Sequence, residues 1–329
     1  MRFTRLLTVL GAVLGLALAL WLVAHVGLRA ILGTVGKIHW WQFGLICAAY
    51  PLVLIADSIG WHFSFPRGSA PFTQLLLARA AGEAVNAASA SAPVGGEPVR
   101  AWLVRPWVPY EESVPSIVVA KTVNTLAQVL LISLALGLAL ATLRLDRGIL
   151  LGMAGLLVFE IVAIAIFVAT QVWGGLSGVG RLLKRFGMSR SASSAQRMDQ
   201  MLVSYYTHHR ARLVMALLFH FIGRTLGAVE VLLIMWSLRM PVSPIVALTV
   251  EAIGAGVRFA TFFLPGSLGA LEGANAAAFS ALGMGASAGL AFILLRRARQ
   301  VVWIGLGLAA IALARLRAPH NAAWSRPLA

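Results

Sequence analysis

The sequence predicts an all-α polytopic membrane protein, with about six transmembrane helices and two re-entrant helical hairpins that pair as an inverted repeat. Three observations predict it. The 329 residues are 60% hydrophobic and only 12% charged, with a mean hydropathy of +0.86. A soluble domain carries about 25% charged residues, so most of this surface does not face water. Apolar runs near the twenty residues that a helix needs to cross the hydrocarbon core recur along the chain. Two further apolar stretches are interrupted at mid-length by Gly and Pro.

The first run, Leu6–Val23, follows Arg2 and Arg5. It is longer than a signal-peptide core and leads into more apolar segments, so it reads as the first span. The others are Trp41–Trp61, Pro115–Leu143, Gly148–Trp173, Leu213–Leu238 and Ala286–Ala314. Basic residues set the orientation. Arg2 and Arg5, the connector with Arg181, Lys184, Arg185, Arg190, Arg197, Arg210 and Arg212, and the tail with Arg315, Arg317 and Arg326 all belong in the cytoplasm. This predicts one transmembrane domain over 1–315, a cytoplasmic connector at 174–212, a short basic tail at 316–329, and both termini inside. The Ser-, Arg- and Gln-rich connector carries a short amphipathic helix suited to an anionic leaflet.

The interrupted stretches cover 72–110 and 244–285. The first breaks at Pro93, Gly95 and Gly96, just before Glu97; the second at Pro265, Gly266 and Gly269, just before Glu272. A helix stopped at membrane depth leaves backbone groups unpaired, which is tolerated only inside protein or against a wet cavity. Both stretches therefore read as re-entrant hairpins entered from opposite sides, the arrangement that marks the binding site of inverted-repeat transporters. The alternative is two ordinary spans with kinked loops.

Of the 11 acidic residues, Glu111, Glu112, Asp146 and Asp199 fall in loops or at helix ends. Asp57, Glu83, Glu97, Glu160, Glu230, Glu251 and Glu272 fall within apolar or broken segments. A charge at the bilayer centre costs at least about 2.5–3.5 kcal/mol, so these seven need partners or water. Helical spacing offers Arg79 to Glu83 and Arg100 to Glu97, while Arg258, Arg296, Arg297 and Arg299 are placed to reach Glu251 or Glu272. Lys121, Asn124 and Gln128 share one helix face. Two readings stand side by side: a polar path or headgroup pocket, and a set of ion pairs that fix helix packing. Beside the two breaks, free helix termini suit an anionic group.

The formal charge of +16, from 27 basic and 11 acidic residues, sits beside apolar segments. It therefore speaks for orientation and for anionic lipid headgroups against the basic loops, and not for nucleic acid. Cys47 is the single cysteine, so there is no disulfide framework and no cysteine metal site. HExxH, a P-loop and a strand-borne GxGxxG are absent. Gly175-Leu176-Ser177-Gly178, with His208, His209 and His220 downstream, has the residue types of an intramembrane serine protease, but Ser177 follows the apolar run and opens no helix inside it. No cofactor or metal is expected. Trp40, Trp41, Trp61, Trp102 and Trp107 read as interfacial anchors.

The run Gly95-Gly96-Glu97-Pro98-Val99-Arg100 after Asn86, and Pro265-Gly266-Ser267-Leu268-Gly269-Ala270-Leu271-Glu272-Gly273, resemble the flippase-like transmembrane domain of the lysylphosphatidylglycerol synthases. Gly227-Ala228-Val229-Glu230 and Arg296-Arg297-Ala298-Arg299 add to the likeness, which extends from the second span to the last. Within that family the chain looks most like the hopanoid-biosynthesis-associated membrane proteins (HpnL type). The resemblance implies a lipid flippase of the bacterial inner membrane, moving a hopanoid or phospholipid-like amphiphile, with lipid-biosynthesis proteins as partners. The two-domain relatives make lysyl-lipid in a cytoplasmic domain that this sequence does not show, so no enzyme activity is implied. Carried over are Glu97, Arg100, Pro265, Gly266, Gly269 and Glu272. With the residues reasoned above, the candidate transport set is Glu97, Arg100, Arg258, Glu272, Glu83, Glu251, Lys121 and Arg299. Two rival readings are a membrane enzyme that modifies a lipid headgroup and a non-catalytic partner of a lipid-synthesis complex.

Overall fold

The structure is a computed structural model that describes residues 38–88, 95–172, 189–241 and 243–317, together with Gly33 and Gly36. The expected first span, Pro93, Ser177 and the end of the basic tail lie outside the described residues. Ten α-helices and no strand occur among those described: α1 (Trp40–Phe63), α2 (Phe72–Ala88), α3 (Gly96–Val104), α4 (Tyr110–Thr142), α5 (Arg147–Val172), α6 (Ser189–His208), α7 (Arg210–Ser237), α8 (Pro244–Ala260), α9 (Ala270–Ala281) and α10 (Ala286–Arg317). A 3₁₀ turn, Pro265–Ser267, sits between α8 and α9.

Four of these are long and apolar enough to cross a membrane: Trp40–Phe63, Tyr110–Thr142, Arg147–Gln171 and Arg210–Ser237. They coincide with four of the expected runs. The α10 helix is long enough, at 32 residues, but its three neighbouring arginines give it a polar face. Leu151, Ile166, Val214, Leu140 and Val301 are all more than half exposed on the outer faces of α4, α5, α7 and α10. Such a belt is unfavourable in water and matches acyl chains.

The α1 and α7 helices pack along each other at the centre, and each broken pair packs against the long helix of the other half, α2 on α10 and α8 on α4. Two apolar clusters flank the middle. One joins Trp61, Phe65, Leu75, Val104 and Ile117 from α1 to α4. The other joins Val231, Ile234, Phe279 and Phe292 from α7 to α10. The polar residues of the spans are left between them.

Trp40, Trp41 and Trp107 are exposed, as anchors should be, but Trp61 is only 1% exposed. Its indole Nε1 donates to Ser116 Oγ at 3.1 Å, making it a core residue that ties α1 to α4. A partner for the ring nitrogen is what burial of a Trp requires.

Candidate functional site

The first break is closed by backbone contact. The α3 helix folds back along α2, so that a Cβ on Gly96 would lie 2.0 Å from Gly82 O and one on Gly82 2.5 Å from Arg100 Nε. Only glycines allow that approach. Asn86, in the last turn of α2, accepts the Gly96 N–H at 2.6 Å and so occupies a donor that the start of α3 would otherwise leave open.

The second break turns through left-handed backbone at Gly266 (φ 59°), Ser267 (φ 49°) and Gly269 (φ 76°). Glycine takes such angles without strain, whereas serine does not. Glu272, in the first turn of α9, accepts the Gly269 N–H at 2.7 Å through Oε2. Its other oxygen receives Arg297 Nε at 2.6 Å. The Arg297 guanidinium also reaches Gly266 O at 3.3 Å. The helix termini at both breaks are thus held by the protein's own side chains. The free anion-binding termini expected from the sequence are not what the breaks present.

The two broken pairs match in length and register. The helices leading into the breaks, α2 and α8, have 17 residues each, and the long helices that follow, α4 and α10, have 33 and 32. In each case a first-turn glutamate after the break is bound by a cation from the following long helix. Glu97 meets Lys121 Nζ at 3.0 Å, and Glu272 meets Arg297 Nε at 2.6 Å. The environments differ: the Lys121 side chain is 45% exposed and the Arg297 side chain 23%.

Between the pairs lies a cavity of about 390 Å³ rich in charged side chains, bounded by α1, α2, α4, α7, α8, α9 and α10 and by the turn between α8 and α9. Four carboxylates line it, Asp57, Glu83, Glu230 and Glu251, against six arginines, Arg79, Arg224, Arg258, Arg296, Arg297 and Arg299. Most are paired. Arg79 Nη2 meets Asp57 Oδ2 at 2.7 Å, and His220 Nδ1 lies 2.7 Å from Asp57 Oδ1. Arg296 bridges Glu251 at 2.6 Å and Glu230 at 3.5 Å, while Arg299 reaches Glu230 at 2.9 Å and lies over the Tyr50 ring at 4.3 Å. Arg258 shares Glu251 at 3.3 Å. Arg224 differs from the rest. It donates to Asn124 Oδ1 at 2.9 Å and has no carboxylate at ion-pair distance among the described residues. The walls therefore carry an excess of two positive charges, concentrated on Arg224 and the shared Arg258.

Of the residues expected from the sequence, Glu83, Glu251, Arg258, Arg299 and Gly266 line this cavity, with Asn86 and Asn124. Glu97, Arg100, Lys121 and Glu272 are not among its lining residues: Glu272 holds the second break, while Arg100 and Glu97 tie α3 to α2 and α4. The expected Glu97–Arg100 pair is not formed: Arg100 turns to Glu83 at 2.9 Å, and Glu97 takes Lys121 instead. Arg79 sits 3.5 Å from Glu83, as the helical spacing suggests, but its shorter bond crosses to Asp57. Gly95 opens α3 as its N-cap residue. Sequence reasoning passed over Tyr50, Arg224, Gln300 and Trp303, which also line the cavity. An arginine in the middle of the apolar run Leu213–Leu238 was the signal for Arg224.

Among the described residues no group of three or more His, Cys, Asp or Glu side chains is placed to hold a metal. The arrangement is suited instead to receiving an anion at membrane depth. No curated protein matches the chain. The family model described as the lysylphosphatidylglycerol synthase transmembrane region matches residues 8–309. That span includes both broken pairs, the cavity and every helix between them, so the chain belongs to the lysylphosphatidylglycerol synthase transmembrane-region family.

Proposed function

We propose that the protein is a lipid flippase or transporter, and not an enzyme, and that it carries an amphiphile with an anionic, phosphate-type headgroup across the membrane. The observation that carries this reading is the excess of arginine over carboxylate in a cavity enclosed by membrane helices. About 390 Å³ lies in the range of small-ligand sites. Arg224 and Arg258 supply charge-assisted hydrogen bonds, each worth about 1.5–3 kcal/mol, while the acyl chains stay in the bilayer. Of the two cargoes implied by the resemblance, a phospholipid-like amphiphile makes better use of these cations than a hopanoid with an uncharged head.

The matched register of the broken pairs supports an inverted repeat and a cycle in which one half rocks against the other. The Glu97–Lys121 and Glu272–Arg297 pairs then serve as the two ties that hold the breaks. The protein is proposed to sit in a bacterial inner membrane with both termini cytoplasmic, beside the lipid-biosynthesis proteins that supply its cargo.

The test is reconstitution. Vesicles holding the purified protein and fluorescent phosphatidylglycerol are treated with an impermeant quencher, and the protected fraction is followed. Loss of protection beyond that of empty vesicles is expected, as is slower loss with Arg224→Gln. Identical traces with and without protein would overturn the reading. Lipid mass spectrometry on separately labelled leaflets of cells with and without the gene addresses the enzyme alternative. A lipid that only changes location supports transport, whereas one that loses a headgroup in every fraction favours headgroup modification.

A further inference from the structure

One intramembrane carboxyl is not accounted for by the cavity. Asp57, Glu83, Glu97, Glu230, Glu251 and Glu272 each have an Arg or Lys within 3.0 Å. Glu160 has none among the described residues. It lies mid-way along α5, flanked by exposed Val158, Phe159, Ile161 and Val162, and is itself fully buried on the inward face. Gln128 of α4 donates to its Oε1 and, with the same amide group, to Ala255 O at 3.2 Å. Oε2 is buried with no hydrogen-bond partner. An ionised carboxylate in such a place leaves half its charge unsolvated and unpaired, a state that proteins avoid by binding a proton.

The charged groups of the surrounding helices are engaged elsewhere. The α4 helix brings Lys121, bound to Glu97; α8 brings Glu251 and Arg258, bound to each other; α9 brings Glu272, bound to Arg297. The α6 helix carries Arg197, Asp199, Tyr205, Tyr206 and His208. It meets α5 where Tyr206 donates to Gln171, eleven residues and roughly 16 Å along the helix from Glu160. The α7 helix brings Arg224, which lines the cavity and has no carboxylate at ion-pair distance among the described residues. Arg224 is also the cavity cation that binds Asn124, one turn from Gln128 on α4. Cavity and carboxyl are therefore joined through Arg224 and the Asn124–Gln128 face.

We propose that Glu160 is a proton-binding site coupled to the headgroup cavity, so that a proton and an anionic headgroup are taken up together. This rests on the transport reading. In the empty cavity the uncompensated positive charge of Arg224 works against proton uptake at Glu160. A headgroup phosphate bound at Arg224 cancels that charge, and a proton from cavity water moves to Glu160 Oε2. Release of the headgroup returns the proton to water.

The test uses the full chain in phosphatidylglycerol vesicles and dicyclohexylcarbodiimide, which reacts with protonated carboxyls in apolar surroundings. Peptide mass spectrometry is expected to find the adduct on Glu160 ahead of the six paired acids, with labelling that falls as pH rises. Fluorescent phosphatidylglycerol movement is expected to respond to an imposed pH gradient, and Glu160→Gln, which keeps the Gln128 contact, is expected to remove that response. Labelling spread evenly over the acids, or an unchanged gradient response in Glu160→Gln, would overturn the proposal. Selective labelling of Glu160 without any lipid movement would sink the transport reading and leave the proton site standing.

Discussion

Lys121 and Arg297 stand at the same register, each eleven residues after the first residue of its helix, Tyr110 or Ala286, and each reaches back to the first-turn glutamate that follows a break. The bonds are alike but their settings are not, and the difference sets their energies. Breaking a buried pair by removing one partner costs about 3–5 kcal/mol, whereas an exposed pair contributes about 0–1 kcal/mol. Glu272→Gln is therefore expected to lower the thermal unfolding temperature in detergent markedly, and Glu97→Gln only slightly. Equal shifts would contradict this ranking.

The Lys121 tie is open to a charge-exchange test. Glu97→Lys places two cations together and is expected to depress lipid movement in vesicles. Adding Lys121→Glu restores an opposite-charge pair and is expected to recover much of the loss. Failure of the double variant, with folding confirmed by unchanged elution, would show that Glu97 acts through something other than Lys121.

Arg224 has the most direct consequence for cargo. Its removal takes away a charge-assisted bond worth about 1.5–3 kcal/mol, so Arg224→Gln is expected to raise the half-saturating concentration of an anionic lipid by about 10- to 150-fold. Because Arg224 touches Asn124 and, among the described residues, no carboxylate, little stability should be lost. Titration of fluorescent phosphatidylglycerol against the two proteins measures both effects, and an unchanged half-saturation point would exclude Arg224 from the headgroup site.

Gly96 tests the first break. A methyl group there would overlap Gly82 O, and overpacking of this kind costs about 1–3 kcal/mol. Gly96→Ala is expected to unfold at a lower temperature than Gly44→Ala in α1, where an added Cβ meets nothing within 4 Å. The same melting experiment separates the tryptophans. Trp61→Phe loses its bond to Ser116 and should destabilise by about 1 kcal/mol, with Trp107→Phe near neutral.

The long elements were legible because hydropathy and length decide them: α1, α4, α5 and α7 coincide with apolar runs. So were the breaks, where Gly96, Gly266 and Gly269 meet demands that few other residues satisfy, although Gly82, which faces Gly96, was not singled out. Partner choice was not. Spacing along one helix suggested Glu97 with Arg100, yet Arg100 finds Glu83 on α2 and Glu97 finds Lys121 on α4, because tertiary packing brings those groups closer than the turn of a nine-residue helix does. Trp61 was misread for a related reason: its burial depends on α2 and α4 closing over it, which local pattern does not encode. Arg224 was hidden by the apolar run around it.

The arginines of α10 bear on how the chain is made. Arg296, Arg297 and Arg299 each find their carboxylate on a helix synthesised earlier: Glu230 on α7, Glu251 on α8 and Glu272 on α9. Three unpaired arginines, if carried to the bilayer centre, would oppose entry of an isolated helix by roughly 8–10 kcal/mol on insertion scales. On that scale α10 enters more favourably beside helices whose acids are already in place, so the order of translation bears on how the fold is reached.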